Sequence, residues 1–124
     1  MNNNSLYSDF RDLFPEKAYK LDLLAAEANA DEEDGMHVMF SFVVIPFILE
    51  ALNTGNTELL KRAFDFFEKM AADDSTDITE VLEFTVIENL IANGRKIYEE
   101  AKRYMGAEML NSCKRVESYM DVGE

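Results

Sequence analysis

The stretch that most constrains this chain is residues 77–91, DITEVLEFTVIENLI. Ile78, Val81, Leu82, Thr85, Val86, Ile87, Leu90 and Ile91 put apolar or nearly apolar side chains on most sides of a helical wheel. A helix apolar nearly all round is a buried one, so other helices must cover it. Asp77 and Glu80 have the spacing of a capping box, an N-cap acceptor followed three residues later by a carboxylate. Asn93-Gly94 supplies a stop, because glycine enters the left-handed cap conformation without steric cost. The expectation is a central helix within an all-α fold.

The flanking segments fit that frame. Residues 1–4 are expected to fray. Ser5 caps a short helix running to about Phe14, with Leu6, Phe10, Leu13 and Phe14 on one stripe. Pro15 suits the start of a second helix to about Asn29, carrying Ala18, Leu21, Leu24, Ala25 and Ala28 at helical spacing. Residues 30–35 read as an acidic loop. Residues 36–53 are the most apolar segment. A strand over 38–45 is open, since Phe and Val favour strands. The apolar run continues through Leu49, Ala51 and Leu52 without a turn signal, which favours a helix kinked by Pro46. The run from Val38 to Leu49 is read as too short to span a bilayer.

Residues 57–72 form an amphipathic pattern. Leu59, Leu60, Ala63, Phe64, Phe67, Met70 and Ala71 face in, while Glu58, Lys61, Arg62, Asp65, Glu68 and Lys69 face out. Phe66 falls off the stripe and is expected at a second contact. Helices over 95–104 and 107–119 follow, divided at Gly106. Short connections make helical neighbours antiparallel. The offset from residue 36 to residue 77 approximates the roughly 40-residue period of HEAT-type repeats. The expected architecture is therefore one domain over 1–124, all-α, built of antiparallel helical hairpins in a HEAT-like right-handed stack of about six to seven helices. The units are 36–72 and 77–119, with 5–29 as capping helices.

Charge bounds the partners. The chain of 124 residues has a formal net charge of -13. Residues 1–94 hold six basic and nineteen acidic residues, so they carry all of it; residues 95–124 hold six of each sign. Nucleic acid and anionic membrane surfaces are poor partners for such a chain, and a basic protein is the electrostatic complement. A single cysteine, Cys113, excludes an intrachain disulfide and fits a cytoplasmic protein. The N-terminus lacks the basic and apolar regions of a signal peptide.

No motif points to catalysis. His37 is the sole histidine, and a structural or solvent-facing role is favoured. Read as a calcium loop, Asn29–Phe40 has Asp34 where Gly is needed and Phe40 where a bidentate Glu is needed; a start at Asp73 puts Phe84 at that last position. Glu83 and Glu88 lie in an apolar helix, where buried carboxylates can act as acid–base catalysts. No Glu-x-x-His pair accompanies them, and emergence at the helix edge is the favoured role. Lys114 and Arg115 beside Cys113 would lower its pKa, yet no partner completes a nucleophile, so packing is favoured. No cofactor and no metal is expected.

Three segments carry a resemblance. LLKRAFDFFEKM over residues 59–70 resembles "-LKKIFDLIE-L"; FTVIENLI over 84–91 resembles "-CFLENLLN-"; YMGAEMLNSCK over 104–114 resembles "-YLGP-S--YCK-". Order and spacing agree across residues 36–119, with Ala107 in place of a frequent Pro. The strings belong to small bacterial helical proteins similar to the immunity proteins of polymorphic-toxin and contact-dependent growth inhibition systems. The resemblance implies a small, acidic, cytoplasmic, non-enzymatic protein that binds a cognate toxin domain, often a basic nuclease, and blocks it. It supplies no site residues. Charge alone nominates Asp31, Glu32, Glu33, Asp34, Asp65, Glu68, Asp73 and Asp74 as partner-binding. The competing expectations are a helical adaptor or homodimeric regulator joined through Phe-rich faces, and a metal-dependent helical-bundle enzyme using His37, Glu83 or Glu88. The free protein is expected to be a monomer or weak homodimer.

Overall fold

In the computed structural model, which describes residues 1–120, the chain is helical, with no strand among the described residues. Seven helices follow in order: α1 (Leu6–Asp12), α2 (Ala18–Ala28), α3 (Met36–Thr54), α4 (Thr57–Ala71), α5 (residues 76–92), α6 (Arg95–Lys102) and α7 (Ala107–Met120). Residues 121–124 of the expected domain lie outside the described residues. Short 3-10 turns at Asn3–Ser5, Pro15–Lys17 and Glu32–Asp34 lead into α1, α2 and α3. The first of these falls where fraying was expected: Asn2 Oδ1 accepts from Asn4 N at 2.9 Å, and the α-amino group lies 3.3 Å from the Asp73 carboxylate.

The strand alternative for 38–45 is overturned, because α3 is helical throughout. It is 19 residues long, and by length and composition alone it could cross a membrane, contrary to the reading of its apolar run as too short. Its buried residues, among them Met39, Phe40, Val43, Val44 and Ile48, are instead covered by α2, α4, α5 and α6. The interruption expected from Pro46 takes the form of a π-helical segment at Phe40–Val44, immediately before the α-helical turn that holds the proline. Proline lacks an N–H and its ring crowds the carbonyl four residues back, and a wider turn there relieves both. A second π segment, Leu82–Ile87, interrupts α5, with no proline beside it.

The two π segments pack side by side. His37 Nδ1 lies 2.6 Å from Thr85 Oγ1, and Asn89 Nδ2 donates to Thr85 O at 2.8 Å and to Ser41 Oγ at 3.4 Å. Residues 37 and 41 thus pair with 85 and 89, each four further on, so α3 and α5 run parallel. The Asn89 amide supplies a partner to a carbonyl inside the widened turn.

One core joins every helix. Phe10 is its aromatic hub, fully buried, with ring centroids 5.2–6.2 Å from Phe14, Phe40, Phe47, Phe66 and Phe67. Phe66 therefore makes the second contact expected of it. A capping role understates α1, which fills the middle of the packing. Its C-terminal turn is fixed to α4 by Arg62, which donates to Leu13 O at 2.8 Å and lies over the Phe14 ring at 4.8 Å. Ala28, expected inward on α2, is exposed; of that helix's residues only Leu21 is fully buried.

The end signals divide. Gly55 takes the left-handed conformation (φ 68, ψ 34), and Asn56 caps α4 by accepting from Leu59 N at 3.2 Å. At α5 the expected Asp77 capping box is replaced by an N-cap at Ser75, whose side chain makes no cap bond. Gly94 ends α5 as expected, but at φ 105, ψ 160, extended rather than left-handed helical.

Candidate partner-binding surface

Because α3 and α5 run parallel, the loops that feed their N-termini lie toward the same end of the molecule. That brings the loop at 31–35 and the loop at 72–75 to one end. Asp65 lies in the last two turns of α4, which runs into the second loop. Helix N-termini carry partial positive charge, so carboxylates there are locally stabilised.

Each nominated carboxylate now has a place. In the first loop Asp31 Oδ1 accepts from Glu33 N at 2.8 Å, and Asp34 Oδ2 accepts from Asp31 N at 2.9 Å. These two bonds form a capping box that fixes the turn, with all four carboxylates of 31–34 exposed. Gly35 at φ 98 then turns the chain into α3. Among the described residues none of these four pairs with a cation, and neither do exposed Asp65 and Asp74. Asp73 is engaged internally. Its carboxylate accepts from Ser75 N at 2.8 Å, the main cause holding its pKa below the ordinary value, with the nearby α-amino group adding to it.

Glu68 is misplaced by the sequence reading. It does not face out to a partner; it caps α7, accepting from Glu108 N at 2.8 Å and Met109 N at 3.0 Å. A Cβ on Gly106 would lie 2.6 Å from the Glu68 carboxyl, so a glycine at 106 is what lets the carboxylate reach the helix end. The sequence signal was present in two separate strings, an acid in the first and a glycine in the third, but only the fold joins them. Asn89 of the second string and Cys113 of the third also serve packing. Glu68, Gly106, Asn89 and Cys113, all shared with the resembled strings, therefore help hold the fold together, while the shared Lys61 and Asp65 are exposed.

The residues weighed for catalysis are placed as follows. His37 is tied to Thr85. Glu83 Oε2 accepts from Arg115 Nη2 at 2.9 Å and Nε at 3.1 Å, bonding α5 to α7. Glu88 is half-buried at the helix edge. Cys113 is buried 3.4 Å from Met105 Sδ, and burial pushes its thiol up, opposite to the lowering expected from Lys114 and Arg115. Both of those residues are exposed, and Arg115 is engaged with Glu83 and Ser112. Among the described residues no three His, Cys, Asp or Glu side chains are grouped to hold a metal ion.

Fold and surface together define a small all-helical domain that brings the exposed acids of 31–34 and Asp74 toward one end. The chain belongs to the DUF7674 family, a domain of unknown function, whose model matches residues 7–121 and so takes in all seven helices but the first residue of α1. No curated protein and no solved structure matches the chain.

Proposed function

We propose that this protein is an immunity protein: it binds a basic toxin domain, of which a nuclease is the best fit, and neutralises it by occlusion in the cytoplasm without catalysis. The observation that carries the reading is the exposed run Asp31, Glu32, Glu33 and Asp34, paired with no cation and set at the same end as Asp65 and Asp74. Like charges held together in this way raise the cost of the free surface and are offset by a cationic partner. The resemblance of residues 59–70, 84–91 and 104–114 to immunity-like proteins supports the same reading. Asp31, Glu32, Glu33, Asp34, Asp65 and Asp74 remain the proposed contacts; Asp73 and Glu68 are withdrawn, since they serve the fold.

We also propose that the helices stack in a HEAT-like, right-handed manner. The parallel register of α3 and α5, with α4 packed on both, supports it. The second unit departs from a simple hairpin, because its return is split into α6 and α7.

Charge reversal tests the surface. Asp31→Lys with Asp34→Asn would disturb the capping box, so the cleaner variant is Glu32→Lys with Glu33→Lys. Association with the co-purified partner should slow by about tenfold or more at low salt and lose much of its salt dependence. An unchanged rate and salt slope would remove the loop from the interface.

One observation favours a second reading. Phe42, Phe84 and Tyr119 are 56%, 47% and 51% exposed, and the Phe84 and Tyr119 rings pair at 5.9 Å. Exposed aromatics fit an adaptor or homodimer. A concentration-dependent dimer that Phe84→Ser abolishes, with no basic partner, would favour it.

A further inference from the structure

Between α1, α2 and the 31–35 loop runs a groove of ≈ 340 Å³. Its inner wall holds Tyr7, whose residue is 4% exposed and whose hydroxyl has no hydrogen-bond partner. A buried hydroxyl without a partner costs free energy, so such a group marks a place where a partner belongs. The groove's charged groups act directly on that hydroxyl. Burial is the main cause pushing its pKa up to about 12, the Asp22 and Glu32 carboxylates add to the rise, and Arg11 opposes it. Tyr7 shares the groove lining with Arg11, Asp22 and Glu32, the charged residues that bear on its phenol.

The wall composition selects the ligand. Ala25, Ala30 and Met39 give an apolar strip. Arg11 is closed off by Asp22, with bonds of 3.0 and 2.9 Å. Asp12, Asp31 and Glu32 line the rim and pair with no cation among the described residues. We infer that this groove binds an alkylguanidinium or alkylammonium group, its stem on Ala25 and Met39, its N–H groups donating to the Tyr7 hydroxyl and the Glu32 and Asp31 carboxylates. An anion is excluded by the surplus of carboxylates, and a neutral chain would leave them and the hydroxyl unanswered. The same chemistry arrives on a free small molecule or on an Arg or Lys side chain of a protein. The groove shares Asp31 and Glu32 with the proposed toxin-binding surface, but a free probe reads it whether or not a toxin binds.

The test is an amide-resolved NMR titration of the full chain with butylguanidinium, with its neutral isostere butylurea, and with a blocked Ala-Arg-Ala peptide. Butylguanidinium should saturate at millimolar concentration, with shifts centred on residues 7, 25 and 30–32, and butylurea should not. Tyr7→Phe, nearly isosteric and with an unchanged urea midpoint or a higher one, should weaken binding about tenfold. Glu32→Gln, on an exposed turn, should weaken it severalfold. Stronger binding of the peptide assigns the site to protein side chains; stronger binding of the free probe assigns it to small cations. No saturation by either cation, equal binding of butylurea, or unchanged binding in Tyr7→Phe would each overturn the inference.

Discussion

Glu68 shows how a residue's chemistry is decided by where the fold delivers it. On a helical wheel it is an outward acid; in the molecule it satisfies two of the first amide groups of α7, and Gly106 leaves the space for it. Removing a cap costs about 1 kcal/mol. Glu68→Ala should therefore lower stability by about that amount in urea denaturation. Gly106→Ala should cost about as much by pushing the carboxylate off the helix end, and the double variant should cost less than the two singles added, because they break one interaction. Full additivity would contradict the shared cap. Neither change should slow partner association, which separates Glu68 from the exposed acids of 31–34.

At the scale of elements, α1 and the α6–α7 pair carry the clearest expectations. If α1 were a peripheral cap, truncating its core residue would matter little. Phe10 instead touches five rings, and Phe10→Ala should cost about 3–5 kcal/mol, measurable as a drop in urea midpoint. The α6–α7 contact is polar: Tyr98 donates to Glu117 at 2.6 Å, and Lys102 lies 3.0 Å from the same carboxylate. The Tyr98 bond is the main cause holding the Glu117 carboxyl below the ordinary carboxylate range. A carboxylate with a depressed folded pKa adds stability above its unfolded value and loses it as pH falls through the folded one. Stability should thus decline below about pH 4.5, and Glu117→Gln should be less stable at pH 7 and flatter in that acid range. An identical acid profile would contradict the assignment. The long amphipathic elements were legible from the chain: α4 was expected over 57–72 and runs over Thr57–Ala71, and α7 over 107–119 and runs to Met120. The π segments were not, apart from the disturbance at Pro46. The one in α5 has no local breaker, and its carbonyl is answered by Asn89, while His37 reaches Thr85 across 48 residues of sequence. Nor was the Ser75 start legible, since Asp77 and Glu80 offered a better local pattern than the one the packing selects.

For the whole molecule the governing facts are charge and its placement. A net charge of -13 sets up a negative field around the domain. The parallel register of α3 and α5 then brings the acids of 31–34 and Asp74 toward one end, something composition foreshadowed only as an excess in residues 1–94. Which acids remain free was hidden, because Asp73 and Glu68 are consumed by backbone amides that only tertiary structure brings near. The measurement that tests the central claim most directly is co-expression of this protein with the reading frame immediately upstream of its gene, scored by pull-down and by growth. The account predicts a one-to-one complex with a basic protein that stops growth when expressed alone and permits it when this chain is present. Absence of a complex, together with growth arrest that this chain does not relieve, would contradict it.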